Sequence, residues 1–215
     1  QGTRMRSRRP KVLHEVGGRP MLGWVMDAAR ELEPSAIRVV VGHGSEAVRE
    51  RFASPDVTFV EQAEQLGTGD AVRCAGPEFG HADWVVVLNG DVPLLRGGTL
   101  RDWLGALEDS PADAGILTAH PQDPAGYGRI LRDGDGRVTG IREEKDAAAE
   151  ERAIGEVFTG IIAVRGPRLG PWLAGLSADN AQGEYYVTDV VGTAAGAGGV
   201  HAHRVPDPAE VQGIN

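Results

Sequence analysis

The first residues of the chain combine a glycine turn with two cations. Gly2 and Thr3 lead to Arg4, and Lys11 follows a short distance along the chain. A glycine lets backbone N–H groups approach phosphate oxygens, and the two cations can neutralise negative charge that develops during phosphoryl transfer. The spacing indicates a site for a polyanion such as a nucleoside triphosphate, with a solvated basic terminus as the alternative on this stretch alone.

A carboxylate follows the strongly apolar run at 84–88. The run leads into Asn89 and Gly90, and Asp91 comes next. Open α/β sheets bind ligands beyond the carboxyl ends of their strands, and a glycine there leaves room for a phosphate. One carboxylate together with substrate phosphates is a usual way for proteins to hold Mg²⁺. Asp91 is therefore the best single catalytic candidate, with a turn aspartate before Pro93 as the alternative.

A second glycine turn lies between a predicted strand and a predicted helix. Gln62 ends the strand, and Gly67 and Gly69 flank Thr68, where the helix begins. Such a turn can offer backbone donors and a side-chain amide to a base or a ribose. It is not a Walker loop, because no Gly-Lys-Ser/Thr follows at the required spacing. A bare Gly-x-Gly also marks an ordinary helix start, so both interpretations stay open.

Apolar runs and helical periodicity alternate along the chain and would position these residues. The sequence predicts strands at 37–42, 57–62, 84–88, 114–119, 157–164 and 200–205, and helices at 20–33, 45–52, 68–74, 99–108, 167–176 and 188–197. This rhythm indicates an α/β fold in which helices cover a mostly parallel sheet. Residues 127–142 are typical of an antiparallel hairpin with its turn at 133–136, which indicates a second lobe.

Composition limits the possible partners. A chain of 215 residues is long enough for one domain with a substantial core, and its net charge is 22 − 31 = −9. This acidic balance argues against nucleic acid as the main partner. No apolar run approaches the length that crosses a bilayer, so we expect no membrane partner. The single cysteine, Cys74, excludes an internal disulfide and suits a reducing cytoplasm.

Lysine is rare in this chain. Only Lys11 and Lys145 are lysines among 22 basic residues. A lysine in an arginine-rich background can mark a place where a compact ammonium must touch one phosphate, a task that arginine's planar fork performs differently. The pattern indicates that both lysines are site residues, with chance retention as the alternative.

Five motifs occur in order along the chain. They are Gly2-Thr3-Arg4-Met5 with Pro10-Lys11, residues 62–69, Gly90-Asp91-Val92-Pro93-Leu94, Gly126-Tyr127-Gly128-Arg129-Ile130, and residues 180–189. Together they resemble the N-terminal uridyltransferase (pyrophosphorylase) domain of the bacterial bifunctional N-acetylglucosamine-1-phosphate uridyltransferase/glucosamine-1-phosphate acetyltransferases. The resemblance covers nearly the whole chain. The second and fifth motifs are specific to this family, whereas the first is shared by many sugar nucleotidyltransferases.

The resemblance implies a fold and an activity. The fold is the Rossmann-like nucleotide-diphospho-sugar transferase fold, with a mostly parallel mixed sheet and a smaller antiparallel sugar-binding lobe. One domain is expected over 1–215, with a nucleotide lobe at about 1–111 and 189–215 and a sugar lobe at about 112–188. The activity is Mg²⁺-dependent transfer of UMP from UTP to N-acetylglucosamine-1-phosphate. The products are UDP-N-acetylglucosamine for cytoplasmic peptidoglycan synthesis and pyrophosphate.

The resemblance also implies roles for residues at the matching positions. The catalytic residues are Arg4, Lys11 and Asp91, and the nucleotide-binding residues are Gly2, Lys11, Gln62, Gly67, Thr68, Asn89 and Gly90. Mg²⁺ would be bound by Asp91 and by Asn215, which ends a match to the family motif Glu-Val-x-Gly-Val-Asn. The sugar-binding residues are Gly128, Glu143, Lys145 and Thr188. Glu144 is expected to be a solvated surface charge.

The chain departs from the family pattern in three ways. The family's first strand and its Leu-Ala-Ala-Gly turn are absent, and we expect that strand in the natural protein. Phe158 stands where the family has an asparagine that can hydrogen-bond the sugar. The left-handed β-helix domain, which carries acetyl transfer and builds a trimer, is also absent, so a monomer is expected. The alternatives are therefore a uridylyltransferase for another sugar-1-phosphate and a non-catalytic nucleotide-sugar binding module.

Overall fold

The computed structural model of the protein describes residues 9–42 and 45–214. Its strands are β1 (Glu15–Val16), β2 (Arg19–Pro20), β3 (Ile37–Val41), β4 (Val57–Glu61), β5 (Trp84–Val87), β6 (Ala114–Ala119), β7 (Arg129–Arg132), β8 (Val138–Arg142), β9 (Val157–Arg165) and β10 (Val200–Arg204). Its α-helices are α1 (Met21–Arg30), α2 (Glu46–Phe52), α3 (Thr68–Cys74), α4 (Gly97–Glu108), α5 (Ala149–Arg152), α6 (Gly166–Ala174) and α7 (Asp189–Ala197). Short 3₁₀ turns occur at Lys11–Leu13, Pro77–His81 and Pro208–Val211.

Within the described residues, the main sheet contains six strands and is mixed. Its order is β10-β6-β9-β7-β8, and β5 pairs with β9 as well. β6 and β10 are parallel, whereas β9 runs antiparallel to both β5 and β6. In this sheet β5, β6, β7 and β10 therefore point in one direction, and β8 and β9 point in the other. A separate parallel pair is formed by β3 and β4. The predicted α/β fold with a mixed sheet is confirmed. The sheet was expected to be mostly parallel, but among the described strands of the main sheet only β6 and β10 pair in parallel and the other pairings are antiparallel.

Both faces of the main sheet are covered, as the side chains of β9 show. Ile161 and Ala163 belong to the apolar cluster that contains Trp103 and Leu107 of α4. Ile162 and Val164, the alternate residues, belong to the cluster that contains residues of α6 and α7. Successive side chains of a strand point to opposite faces, so the sheet lies between two helical layers. This explains why β6 and β9 are nearly continuous apolar sequences.

A cavity of about 1250 Å³ extends between β3 and β5. Every residue of both strands lines it, and residues of α1 and α3 close its two sides. Since successive side chains alternate between faces, a cavity that touches them all must follow the edges of the two strands. The cavity continues to the segments that follow β5 and to the β7–β8 side of the molecule, where Gly128 and Glu143 line it.

The observed elements differ from the sequence prediction mainly at their ends. α1 ends at Arg30 rather than at residue 33, and α4 begins at Gly97 rather than at residue 99. The β1–β2 hairpin was not predicted, although Gly17 and Gly18 both have positive φ, the signature of a tight two-residue turn. Among the described residues, no helix combines the length and apolar character that crossing a bilayer requires.

Candidate active site

Most of the residues singled out from the sequence meet at one cavity. Gly2, Arg4 and Asn215 lie outside the described residues. Of the others, the cavity is lined by Lys11, Thr68, Asn89, Gly90, Asp91, Gly128, Glu143 and Thr188. These residues come from both predicted lobes, so the cavity faces nucleotide-side and sugar-side candidates at once.

Lys11 and Asp91 form an ion pair at the nucleotide side of the cavity. The Nζ of Lys11 donates to Asp91 Oδ2 at 2.6 Å, and the two side chains are 21% and 27% exposed. Lys11 opens a 3₁₀ turn after Pro10, and Asp91 follows the end of β5. Partial burial limits screening by water, so this pair is stronger than an ordinary surface ion pair. The arrangement gathers a cation and a carboxylate where a phosphate chain could bind.

The C-terminal segment is attached to the same place. Ile214 donates its backbone N–H to the carbonyl of Asp91 at 3.0 Å. Upstream, the buried carboxylate of Glu210 accepts a 2.6 Å hydrogen bond from Thr99 and lies 3.3 Å from Arg96. These contacts fix the segment against the loop that carries Asp91. They bring the chain to the position immediately before Asn215, the second residue expected at the metal.

The donor set around Asp91 fits a metal that is shared with a substrate. No group of three or more His, Cys, Asp or Glu side chains that could hold a metal occurs within 9–42 and 45–214. Mg²⁺ typically takes one or two carboxylates and completes its shell with substrate phosphates and water. A single carboxylate beside a cavity matches that mode and does not match a metal cage made by protein alone.

The glycine turn at 67–69 is joined to a distant segment. A Cβ at Gly67, where φ is +108°, would lie 2.6 Å from the carbonyl oxygen of Tyr185. Tyr185 donates to the Leu66 carbonyl at 2.8 Å and accepts from the Gly69 N–H at 2.7 Å. Only glycine permits both the backbone angle and this approach. The hydroxyl of Thr68 accepts a hydrogen bond from Val187 N at 3.0 Å, next to Thr188.

Gln62 closes this turn from the other side. Its Nε2 donates to the Gly67 carbonyl at 3.1 Å and to Asp70 Oδ2 at 2.9 Å. Gln62 and Gly67 are outside the group of described residues that line the cavity, whereas Thr68 belongs to it. The two residues therefore build the turn that holds Thr68 at the cavity, and their expected contact with the base stays a prediction.

On the sugar side, a carboxyl and a hydroxyl form a pair. Thr188 Oγ1 donates to Glu143 Oε1 at 2.9 Å. Burial raises the pKa of Glu143, the Thr188 hydrogen bond opposes this, and the charges of Asp189, Asp146 and Glu184 raise the pKa further. A carboxyl whose pKa is shifted by desolvation at a cavity is a typical feature of functional sites. Glu143 can accept hydrogen bonds from sugar hydroxyls.

Gly128 and Phe158 form the adjoining wall. Phe158 N donates to the Gly128 carbonyl at 2.8 Å. A Cβ at Gly128 would lie 2.8 Å from a methyl group of Ile141, so only glycine fits there without a shift. The Phe158 side chain is buried in an apolar cluster and also lines the cavity. The wall next to Glu143 is therefore apolar at the position where the family has an amide.

Three further residues complete the comparison with the sequence prediction. Gly160, in β9, has φ +84°, and a Cβ there would overlap Nδ2 of Asn89; a glycine inside a strand is the one sequence signal of such close approach. Lys145 is exposed and donates to Gln182 Oε1, outside the described cavity lining. Glu144 is not the solvated charge that we expected, because it pairs with the buried Arg129 at 2.8 Å.

Comparisons with known proteins find a matching family and several relatives. Residues 1–156 match the family described as MobA-like NTP transferase domain. The whole chain is 56% identical to Bifunctional protein GlmU of Pseudomonas aeruginosa and 55% identical to that of Azotobacter vinelandii, over 47% of each relative. The chain thus spans about half the length of these relatives.

A solved structure shows the same fold. It is a putative glucose-1-phosphate thymidylyltransferase from Bacillus anthracis in complex with a sucrose, which superposes with a TM-score of 0.73 at 18% identity. The match covers 91% of this chain and 78% of that one.

Proposed function

Because the chain belongs to the family of MobA-like NTP transferase domains, we propose that it transfers UMP from UTP to N-acetylglucosamine-1-phosphate. The observation that carries the proposal is the common cavity, which the Lys11–Asp91 pair lines on one side and the Glu143–Thr188 pair on the other. The choice of these substrates is supported by the GlmU relatives, to which the chain is identical at more than half of its positions. The reaction belongs in the cytoplasm, in the synthesis of cell-wall precursors.

The reaction is an in-line displacement at phosphorus. A phosphate oxygen of the sugar-1-phosphate forms a bond to the α-phosphorus of UTP, and the bond from that phosphorus to the bridging oxygen breaks. Pyrophosphate leaves with the electron pair, and UDP-N-acetylglucosamine remains. The attacking phosphate is already an anion, so no protein base is needed, and catalysis depends on positioning and charge neutralisation.

The nucleotide side supplies the charge neutralisation. Bound Mg²⁺, with Asp91 and Asn215 as its protein ligands, would offset negative charge on the phosphates. The Lys11 ammonium has three donors, so it can remain near Asp91 and still donate to a phosphate oxygen. Arg4 is proposed to bind the same phosphate chain through its planar fork. Gly90 and Thr68 line the same cavity.

The sugar side supplies orientation. Glu143 would accept hydrogen bonds from sugar hydroxyls, and the bond from Thr188 fixes its carboxyl group. Phe158 favours a second candidate within the same class, a uridylyltransferase for another sugar-1-phosphate, because its ring cannot hydrogen-bond a substituent that an asparagine would hold. A non-catalytic binding module is less well supported, since recognition of the sugar alone does not require the Lys11–Asp91 pair.

The substitution Asp91→Asn tests the proposal. We expect pyrophosphate release to fall by about a thousandfold, since a carboxylate at the developing charge is replaced by a neutral amide. Asp56→Asn is the matched control, because Asp56 pairs with Arg30 at 2.8 Å outside the cavity lining. Circular dichroism and thermal unfolding establish that both variants are folded. Turnover at the wild-type rate in folded Asp91→Asn would contradict the proposal.

A further inference from the structure

We propose that Glu144 and Arg129 form a clamp that positions the loop 126–128 for binding of the sugar-1-phosphate. The inference rests on the proposed function, because it assigns the loop to the sugar side of that site. Gly126, Tyr127 and Gly128 all line the cavity, whereas Glu144 is outside the described lining. Glu144 would thus act through the loop and is a positioning residue.

Glu144 uses both carboxylate oxygens to join separate segments. Its Oε2 accepts from the backbone N–H of Gly126 at 3.2 Å and lies 2.8 Å from Nη1 of Arg129. Its Oε1 lies 3.5 Å from Nε of Arg152. The carboxylate therefore connects the start of the loop, the first residue of β7 and the short helix α5. Charge-assisted hydrogen bonds of this kind fix geometry more strongly than neutral ones.

Arg129 holds the middle of the same loop. Its side chain is 2% exposed, and its guanidinium donates to the carbonyl of Tyr127 and, at 3.5 Å, to that of Arg152. A buried guanidinium is costly unless it is paired with an opposite charge and hydrogen-bonded. Glu144 is the carboxylate that pairs with it among the described residues. Loss of Glu144 would leave a buried charge directly under the loop.

The end of the loop is attached to the rest of the wall. The Gly128 carbonyl accepts from Phe158 N, and Arg129 is in register with Arg142 of β8 and with Val157 of β9. Glu144 is also the chain neighbour of Glu143, the carboxyl that lines the cavity. One side chain thus constrains the sugar-side wall both at the loop and beside Glu143.

The charge on Glu144 is favoured in this position. Burial acts to raise the pKa of Glu144, but the hydrogen bonds from Arg129 and Gly126 and the nearby Arg129 and Arg152 charges outweigh it, so that the pKa is lowered. The carboxylate is therefore ionised at neutral pH, as the clamp requires.

The test compares Glu144→Ala with a matched control. Glu151→Ala removes a carboxylate that also accepts one backbone N–H, from Ala148 at 2.8 Å, and pairs with one arginine, Arg142, at 3.0 Å. Glu151 is outside the described cavity lining. For Glu144→Ala we expect the KM for N-acetylglucosamine-1-phosphate to rise about tenfold, as for a modest misplacement of binding groups. The KM for UTP should stay at its wild-type value, and the control should change neither constant.

Hydrogen exchange supplies a readout that does not depend on turnover. Peptides covering residues 124–130 should exchange faster in Glu144→Ala than in the wild type or in Glu151→Ala. Glu144→Gln keeps an acceptor for Gly126, so its exchange rate should fall between those of the wild type and Glu144→Ala. This variant replaces Glu144→Ala in the test if the alanine variant does not fold. Unchanged exchange, an unchanged KM for the sugar phosphate, or an equal rise in Glu151→Ala would overturn the clamp. If the wild type uses no sugar phosphate, the proposed function fails while the exchange experiment still tests the clamp.

Discussion

At the scale of single residues, the contact between Lys11 and Asp91 has a consequence for metal binding. The ammonium occupies Oδ2 of Asp91 at 2.6 Å, the kind of oxygen that a divalent cation requires. Two cations next to one carboxylate repel each other, more strongly where burial limits screening. We therefore expect the positive charge of Lys11 to weaken the binding of the first metal ion.

This predicts that Lys11→Met binds Mn²⁺ more tightly than the wild type in the absence of nucleotide, by about tenfold. An electron paramagnetic resonance titration of free Mn²⁺ measures it. Lys145→Met is the control, because it removes the only other lysine of the chain at a position outside the described cavity lining. The same Lys11 variant should lose turnover, since no ammonium remains for the phosphates. Mn²⁺ affinity that is unchanged or weaker in Lys11→Met would contradict competition at Asp91.

Glu143 predicts a dependence of stability on pH. Its pKa is raised in the folded state, chiefly by burial. The folded protein therefore holds this proton more tightly than the unfolded chain. The resulting stabilisation is present below the unfolded pKa and is lost as pH rises through the folded pKa.

Glutamine does not titrate, so Glu143→Gln does not lose this stabilisation as pH rises. The unfolding free energy of the variant minus that of the wild type should therefore be larger at about pH 7 than at about pH 4. Urea unfolding at both pH values measures this difference. The same variant should bind the sugar phosphate more weakly, because it lacks the carboxylate that accepts hydrogen bonds from the sugar hydroxyls. A stability difference that is the same at both pH values would show that Glu143 is not the titrating group.

The types of residue that carry charge could be predicted, and their partners could not. Lys11 and Asp91 stand out because a cation after a glycine turn and a carboxylate after an apolar strand are local patterns. Glu144 was expected to be solvated because nothing near it in sequence indicates Arg129, which is buried by the packing of β7 against β8 and β9. Gly160 was missed for the same reason, since its close neighbour Asn89 is distant along the chain.

At the scale of elements, β9 has to bend its backbone to accommodate Asn89. Gly160 adopts φ +84° in the strand, and a side chain there would overlap the Asn89 amide. Gly136, in the β7–β8 turn, has nearly the same φ of +81°, but a Cβ added there would meet no atom within 4 Å. The two glycines therefore separate backbone strain from displacement of Asn89.

Both Gly160→Ala and Gly136→Ala should lose about 1–3 kcal/mol of stability through strain at positive φ. Only Gly160→Ala should also raise the KM for UTP, because only there does the new methyl group push Asn89 out of the cavity wall. Steady-state kinetics with UTP as the varied substrate and thermal unfolding of both variants make the comparison. Equal KM values for UTP in the two variants would refute the proposed role of Asn89.

Element prediction succeeded where burial and sequence period agree. β6 was predicted with its observed bounds, because 114–119 is apolar apart from Thr118 and is buried on both faces. The end of α1 was placed too late, since apolar periodicity continues to Leu32 beyond the point where the helix stops at Arg30. The four-residue helix α5 was not predicted, because its charged sequence has no apolar face of its own.

At the scale of the whole molecule, the sheet crosses the proposed boundary between lobes. β6 and β9, assigned to the sugar lobe, pair with β10 and β5 of the nucleotide lobe. The sequence could suggest two lobes from the change to antiparallel hairpins, but it could not show which strands pair. The division into lobes therefore remains a proposal about ligand binding, and the six described strands of the main sheet form one framework across the proposed boundary.

The cavity between β3 and β5 has a shape that could accept one more strand. Ile37 to Val40 and Trp84 to Val87 are apolar in all positions but Arg38, and all are only partly buried. Each strand has its pairing partner on the opposite edge, β4 for β3 and β9 for β5. A strand inserted here would bury these side chains and use the backbone groups of both edges.

We therefore expect an N-terminal extension that supplies the family's apolar strand and Leu-Ala-Ala-Gly turn to raise the melting temperature by at least about 5 °C. Dye binding to exposed apolar surface should fall at the same time. An extension of equal length in which the apolar residues are serine is the control. Equal melting temperatures for the two extended chains would mean that the cavity does not accept a strand.

The central claim is that this cavity catalyses uridylyl transfer to a sugar-1-phosphate. The most direct measurement is Mg²⁺-dependent pyrophosphate release from UTP, with the apolar strand supplied and with three acceptors in turn: N-acetylglucosamine-1-phosphate, its galacto epimer and glucose-1-phosphate. We predict the highest kcat/KM with N-acetylglucosamine-1-phosphate and no release without an acceptor. Absence of pyrophosphate with all three acceptors, in a protein that still binds UTP, would contradict the account.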